Sequence, residues 1–135
     1  MKILTYGEIM DGGRSVFTSV AKLDRKKFVL SFSGVIRVDN PYRYLEIYID
    51  ELENELSELD IDTIELDFRE LNFCNSNGFY VIMDITEIVF NASNVPLVVD
   101  RLKDDDWQQE TLPILLNVDE PEIERRISFQ EYAEL

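Results

Sequence analysis

The chemistry this chain offers is concentrated in a short run of small polar residues, Asn75, Ser76, Asn77 and Gly78. The run lies between the apolar residues Leu71, Phe73 and Cys74 and a helically spaced set, Phe79, Ile82 and Met83. Residues 71–83 read as a strand end, a tight turn and a helix start. The first N–H groups of a helix lack intrahelical partners and carry the positive end of its dipole. A phosphate on Ser76 would be well placed there. Two readings of Ser76 stand side by side: a phosphorylatable switch serine, and a turn serine whose hydroxyl serves the orphan N–H groups.

The other chemically capable residues point elsewhere. Cys74 sits in an apolar run without a basic neighbour, which describes a buried, inert thiol. Glu65 and Asp67 fall on one face of a strand, but acid–base catalysis by a carboxylate pair also needs a pocket. Asp104, Asp105 and Asp106 are consecutive at a helix start, where carboxylates cap and are solvated, and they lack the spacing of a calcium loop. Trp107 reads as core or edge packing, with a partner contact as the other reading. The sequence contains no histidine, which removes Ser–His and Cys–His machinery and the commonest zinc and iron ligand. No glycine loop of phosphate-cradling pattern occurs. These features imply no catalytic residue, no metal and no cofactor.

The elements that position the serine follow from periodicity. Residues 2–9 and 15–23 are rich in β-branched and aromatic residues, and Asp11, Gly12 and Gly13 between them signal a hairpin. A turn at residues 24–27 leads to a strand over 28–36, so the first quarter is an antiparallel meander. Asp39 or Asn40 is placed to cap a helix with Pro41 in its first turn. Leu45, Ile49, Leu52, Leu56 and Leu59 then form an apolar stripe against an acidic face. A strand over 61–68 turns Ile64, Leu66 and Phe68 inward, which sets up a βαβ order with parallel neighbours. The helix over 76–91 has Phe79, Ile82, Met83, Thr86, Val89 and Phe90 as its stripe, followed by a strand over 95–100. A third helix begins near Trp107, its length limited by Pro113, and a last strand spans 126–129 or the tail packs loosely. The expected fold is α/β (α+β): one domain over residues 1–135, a mixed sheet that opens with an antiparallel meander and carries about three helices.

At 135 residues the chain suits one core, and its net charge of −15 opposes contact with nucleic acid or an anionic membrane. A basic or mixed-charge protein partner fits better. One cysteine excludes an internal disulfide, and no signal-peptide core or bilayer-length apolar run occurs, which implies a cytoplasmic protein.

In its order of elements and in the stretch LDFRELNFCNSNGFYVIM the chain resembles the STAS domains of bacterial anti-sigma-factor antagonists. In that family an apolar strand and a short loop lead to an aspartate, two small hydroxyl residues and a glycine, then an apolar helix. The phosphorylated serine follows the aspartate, which the resemblance places at Ser76, with the glycine at Gly78. Asn75 stands for the aspartate and Asn77 for the second hydroxyl residue. The chain is also similar to the SiaC-like regulatory phosphoproteins, in the asparagine before the hydroxyl residue, in the strand end with Ser33 and Gly34, and in the late acidic residues Asp104 to Asp106. The likeness spans about residues 15–118, leaving 1–12 as an extra strand and 119–135 as an extension.

The resemblance implies a STAS-like fold and a non-enzymatic protein of bacterial partner-switching signalling. Unphosphorylated, such a protein binds a serine kinase acting as anti-sigma factor, or a target enzyme, and phosphorylation of Ser76 releases it. A metal-dependent phosphatase restores the binding form. The partner would pack on Asn75, Ser76, Asn77, Gly78 and Phe79. The alternative is an interaction or assembly module of the same fold without phosphorylation, binding through the acidic helix or an exposed edge of the meander.

Overall fold

A computed structural model describes residues 1–134. Strands β1 (Lys2–Asp11), β2 (Arg14–Asp24) and β3 (Lys27–Ile36) form the expected meander, followed by helix α1 (Tyr42–Ser57) and strand β4 (Thr63–Cys74). Helix α2 (Ser76–Ala92), strand β5 (Leu97–Leu102), helix α3 (Asp106–Leu115), the short helix α4 (Pro121–Glu124) and strand β6 (Ile127–Tyr132) complete the chain. The sheet runs β1-β2-β3-β4-β5-β6, antiparallel through β3 and parallel from there on. Because the parallel strands are added in one direction and crossovers are right-handed, the connecting helices all fall on the same face. Among the described residues no helix is long and apolar enough to cross a membrane.

The β1–β2 turn uses Gly12 and Gly13 with φ of 61° and 76°, the paired positive values that suit a tight hairpin. Strand alternation then sends Phe28, Leu30 and Phe32 of β3 and Ile64, Leu66 and Phe68 of β4 into the core. Phe32 stacks on Phe68 at 4.9 Å between ring centroids. The helices meet this layer with Leu45, Leu52 and Leu56 of α1 and Val81, Ile82, Ile85 and Val89 of α2.

Several boundaries differ from expectation. The strand expected over 61–68 runs on to Cys74, because the apolar run after it pairs with the end of β3: Gly34 with Leu71, Val35 with Phe73, Ile36 with Cys74. Neither Asp39 nor Asn40 caps α1; the helix follows Pro41 without a side-chain cap. Its buried stripe holds Tyr48 where Ile49 was expected, and Ile49 is half-buried. The reason lies across the interface. Glycine at position 7 leaves room for the Tyr48 ring, which a Cβ there would meet at 2.6 Å, and the Tyr48 hydroxyl bonds Ser19 at 2.7 Å. In α2, Val81 and Ile85 are buried while Phe79 and Met83 lie at the flank. The C-terminal strand reaches Tyr132, held in parallel register with β5, and α4 is a fourth helix that the composition did not announce.

Gln108 of α3 ties that helix to the sheet. It is fully buried; its Oε1 accepts from the Leu102 N–H at 2.8 Å, and its Nε2 donates to the carbonyls of Phe68 at 2.8 Å and Leu71 at 3.2 Å. Gln108→Leu keeps the volume and strands these backbone groups, each at about 1–3 kcal/mol. Urea denaturation is expected to show a loss of about 3 kcal/mol. A loss below about 1 kcal/mol would mean that other partners take over the freed groups.

Candidate functional site

The turn between β4 and α2 is assembled by its two asparagines. Asn75 is the N-cap: its backbone is extended, its Oδ1 accepts from the Gly78 N–H at 2.8 Å, and its carbonyl accepts from the Phe79 N–H at 2.8 Å. Its N–H donates to the Ile36 carbonyl at 2.9 Å, and its Nδ2 donates to the Val38 carbonyl at 3.1 Å. Asn77 Nδ2 donates to the Asp39 carbonyl at 2.7 Å. An aspartate at position 75 has no amide to give Val38, so the asparagine supports the capping geometry and adds a clamp on the β3–α1 loop. That loop therefore meets α2 through residues 38 and 39, and of the two expected α1 caps only Asp39 takes part, through its carbonyl.

Ser76 is the first residue of α2 and is exposed. Capping belongs to Asn75, so the hydroxyl is not engaged in the role that the simpler reading assigned to it. Gly78 is buried beneath the turn. A Cβ there would lie 2.8 Å from Ile36 Cβ and 2.9 Å from Cys74 Cβ, so its glycine lets the start of α2 sit directly on β3 and β4. Of the five residues expected to form the surface, Ser76 and Asn77 are exposed, Asn75 and Phe79 are half-buried, and Gly78 acts from below.

Beside the serine runs a groove of about 310 Å³ between α2 and α3, lined by Cys74, Asn75, Ser76, Phe79, Tyr80, Trp107, Thr111 and Ile114. Its rim is apolar and open: Tyr80 is 57% and Ile114 70% exposed. Phe79 and Tyr80 meet edge to face at 6.0 Å. Trp107 lies 6.3 Å from Phe73, which carries the Arg37 guanidinium 5.1 Å above its ring. Trp107 is thus packed at an edge, and the same placement brings its ring to the groove. The part of α3 in this site was not visible in the sequence, since nothing local links Trp107 or Ile114 to residue 76.

Of the other candidates Cys74 lines the groove, while the carboxylates lie outside it. Burial pushes the Cys74 thiol up to about 11, so it stays protonated and unreactive. Asp105 caps α3 through the Gln108 N–H at 3.0 Å, and Asp106 occupies its first turn. Among the described residues no group of carboxylates and cysteine is arranged to hold a metal ion. Glu65 and Asp67 point from the opposite face of the sheet, where Glu65 pairs with Lys27 at 3.3 Å and Asp67 with Arg69 at 2.8 Å.

No family model matches the chain, and no curated protein matches it in sequence. Solved structures do. The structure of apo-SiaC from Pseudomonas aeruginosa superposes with a TM-score of 0.58 at 21% identity, covering 100% of both chains. A chain from the complex of diguanylate cyclase SiaD with its activator SiaC, also from Pseudomonas aeruginosa, gives 0.54 at 21% identity over 84% of this chain and 92% of that one. An anti-sigma factor antagonist from Mycobacterium paratuberculosis gives 0.50 at 16% identity over 88% and 87%. The meander, the parallel strands and the one-sided helices thus form a STAS-like fold, shared with SiaC and with the anti-sigma factor antagonist.

Proposed function

We propose that this chain is a non-enzymatic regulatory protein of partner switching, which binds a protein partner through the Ser76 turn and releases it when Ser76 is phosphorylated. The observation that carries the reading is the division of labour at the turn. Asn75 caps the helix, which leaves an exposed serine hydroxyl at its positive end, at the lip of an apolar groove. A phosphate adds about −1.5 to −2 charges at a small neutral site. A partner seated on Tyr80, Ile114 and Trp107 would then have to bury that charge or lose its hydration shell, which disfavours the complex without refolding.

The likeness to SiaC, solved with the diguanylate cyclase that it activates, supports a target enzyme as the partner; the likeness to an anti-sigma factor antagonist supports an anti-sigma factor that is also a serine kinase. A phosphatase would complete the cycle, in the cytoplasm. Co-expression with a serine kinase encoded beside it is expected to give one added phosphate by intact mass, absent from Ser76→Ala. A chain that stays unmodified with every such kinase would sink phosphorylation control.

A second reading, an interaction module without phosphorylation, draws on two surfaces away from the turn. Ile47 on the acidic face of α1 is 73% exposed, and Ile3 on the edge strand β1 is 63% exposed. Under that reading, changes at Ser76 leave binding unaltered.

A further inference from the structure

Asp100 of β5 has no exposed surface, and no N–H or hydroxyl donor reaches either of its carboxylate oxygens. Its neighbours Leu97 and Val99 fill the core, so by alternation Asp100 points to the opposite, helix-free face of the sheet. In register it lies beside Asp67 of β4 and Gln130 of β6. Glu65, two residues before Asp67 on the same face and paired with Val98, is its diagonal neighbour across the β4–β5 pair. The groups facing Asp100 are Glu65, Asp67 and Arg69 from β4 and Tyr132 from β6, with Lys27 of β3 behind Glu65.

The charges in this cluster do not balance if every carboxyl is ionised. Lys27 is matched by Glu65 at 3.3 Å and Arg69 by Asp67 at 2.8 Å, and Asp100 has no cation of its own. Two carboxyl groups facing each other without a donor between them repel unless one carries a proton, in which case they bond. We infer that Glu65 and Asp100 share a single proton, and that its release is a built-in, pH-sensitive loosening of the β4–β5–β6 side of the sheet.

Burial first, and then the bond to Glu65, pushes the Asp100 carboxyl up to about 7. The same bond, received by Glu65, holds that carboxyl below its ordinary value. Between the ordinary value of 3.8 and about 7 the folded chain binds more protons at Asp100 than the unfolded one. Its stability therefore falls as pH rises through that window and levels off above it. The Glu65 contribution is lost at the other end, as pH falls below 4.5. Proton release also places a negative charge beneath a concavity of about 860 Å³ on this face, whose lining includes Asp67, Arg69 and Tyr132.

The test is thermal melting of the full chain from about pH 5 to about pH 8, wild type against Asp100→Asn. The asparagine amide donates to Glu65 as the protonated acid does. The wild type is expected to melt several degrees lower at the alkaline end, and Asp100→Asn to lose most of that slope and to melt at or above the wild type there. Equal slopes in the two proteins overturn the inference, as does a wild-type profile flat across the window. A carbon-13 NMR titration of the Asp100 carboxyl in the wild type decides the matter even if the variant does not fold. A midpoint near neutrality supports the shared proton, and one in the usual aspartate range of about 3.5 refutes it.

Discussion

Ser76→Asp is expected to abolish partner binding while leaving the protein as stable as the wild type. The two effects separate because of where the residue sits. On the stability side, Ser76 is exposed and Asn75 retains the cap, so nothing in the core or the turn changes. A carboxylate at the first helical position interacts favourably with the dipole by about 0.3–1 kcal/mol, which keeps the melting temperature level or slightly raised. On the binding side, the same charge lies at the rim of the groove formed with Tyr80, Trp107 and Ile114. Burying it unpaired in an interface costs several kcal/mol, enough for about a hundredfold or greater loss of affinity. Calorimetric titration of the partner, set beside a melting curve, reads both quantities. Undiminished binding by Ser76→Asp would move the interface away from this turn and favour the acidic helix or the β1 edge.

The largest effect on stability is expected from Gly34→Ala. Residue 34 has a φ of +103°, a conformation that L residues rarely adopt, and a Cβ there would fall 2.1 Å from the Val16 carbonyl oxygen. That oxygen belongs to the β2 backbone beside the Phe17–Gly34 pair and cannot swing aside as a side-chain tip would. The bend also falls between the register shifts by which β3 follows β4 up to Cys74. A cost of about 4 kcal/mol is a large part of the stability of a typical domain. Urea denaturation should show it as a lower midpoint with an unchanged slope. A loss below about 1 kcal/mol would show that the strand can rearrange around the methyl group.

What the sequence made legible was local. The meander could be read from alternation and from Gly12 and Gly13, and the start of α2 from the small polar run Asn75 to Gly78 ahead of the helically spaced Phe79, Ile82 and Met83. What stayed hidden depended on distant residues. Helical spacing admits either Tyr48 or Ile49 on the buried side of α1, and the choice is made by the missing side chain at Gly7, on another strand. Capping of α1 by Asp39 or Asn40 was reasonable from composition, but that loop is drawn toward Asn75 and Asn77 by carbonyl bonds that no periodicity reports. Likewise the Ser76 turn was visible in one stretch of sequence, whereas the groove beside it needs α3, whose place is set by the buried hydrogen bonds of Gln108.

The clamp made by the two asparagines bears on the kinetics of recognition. With Asn75 bonded to residues 36, 38, 78 and 79, and Asn77 to residue 39, the turn is already ordered before any partner arrives. Little conformational freedom remains to be lost on docking, so association should proceed at the ordinary rate for rigid surfaces, about 10⁵–10⁷ M⁻¹ s⁻¹. A phosphate on such a surface would then act mainly by shortening the lifetime of the complex, so the switch would be felt in dissociation.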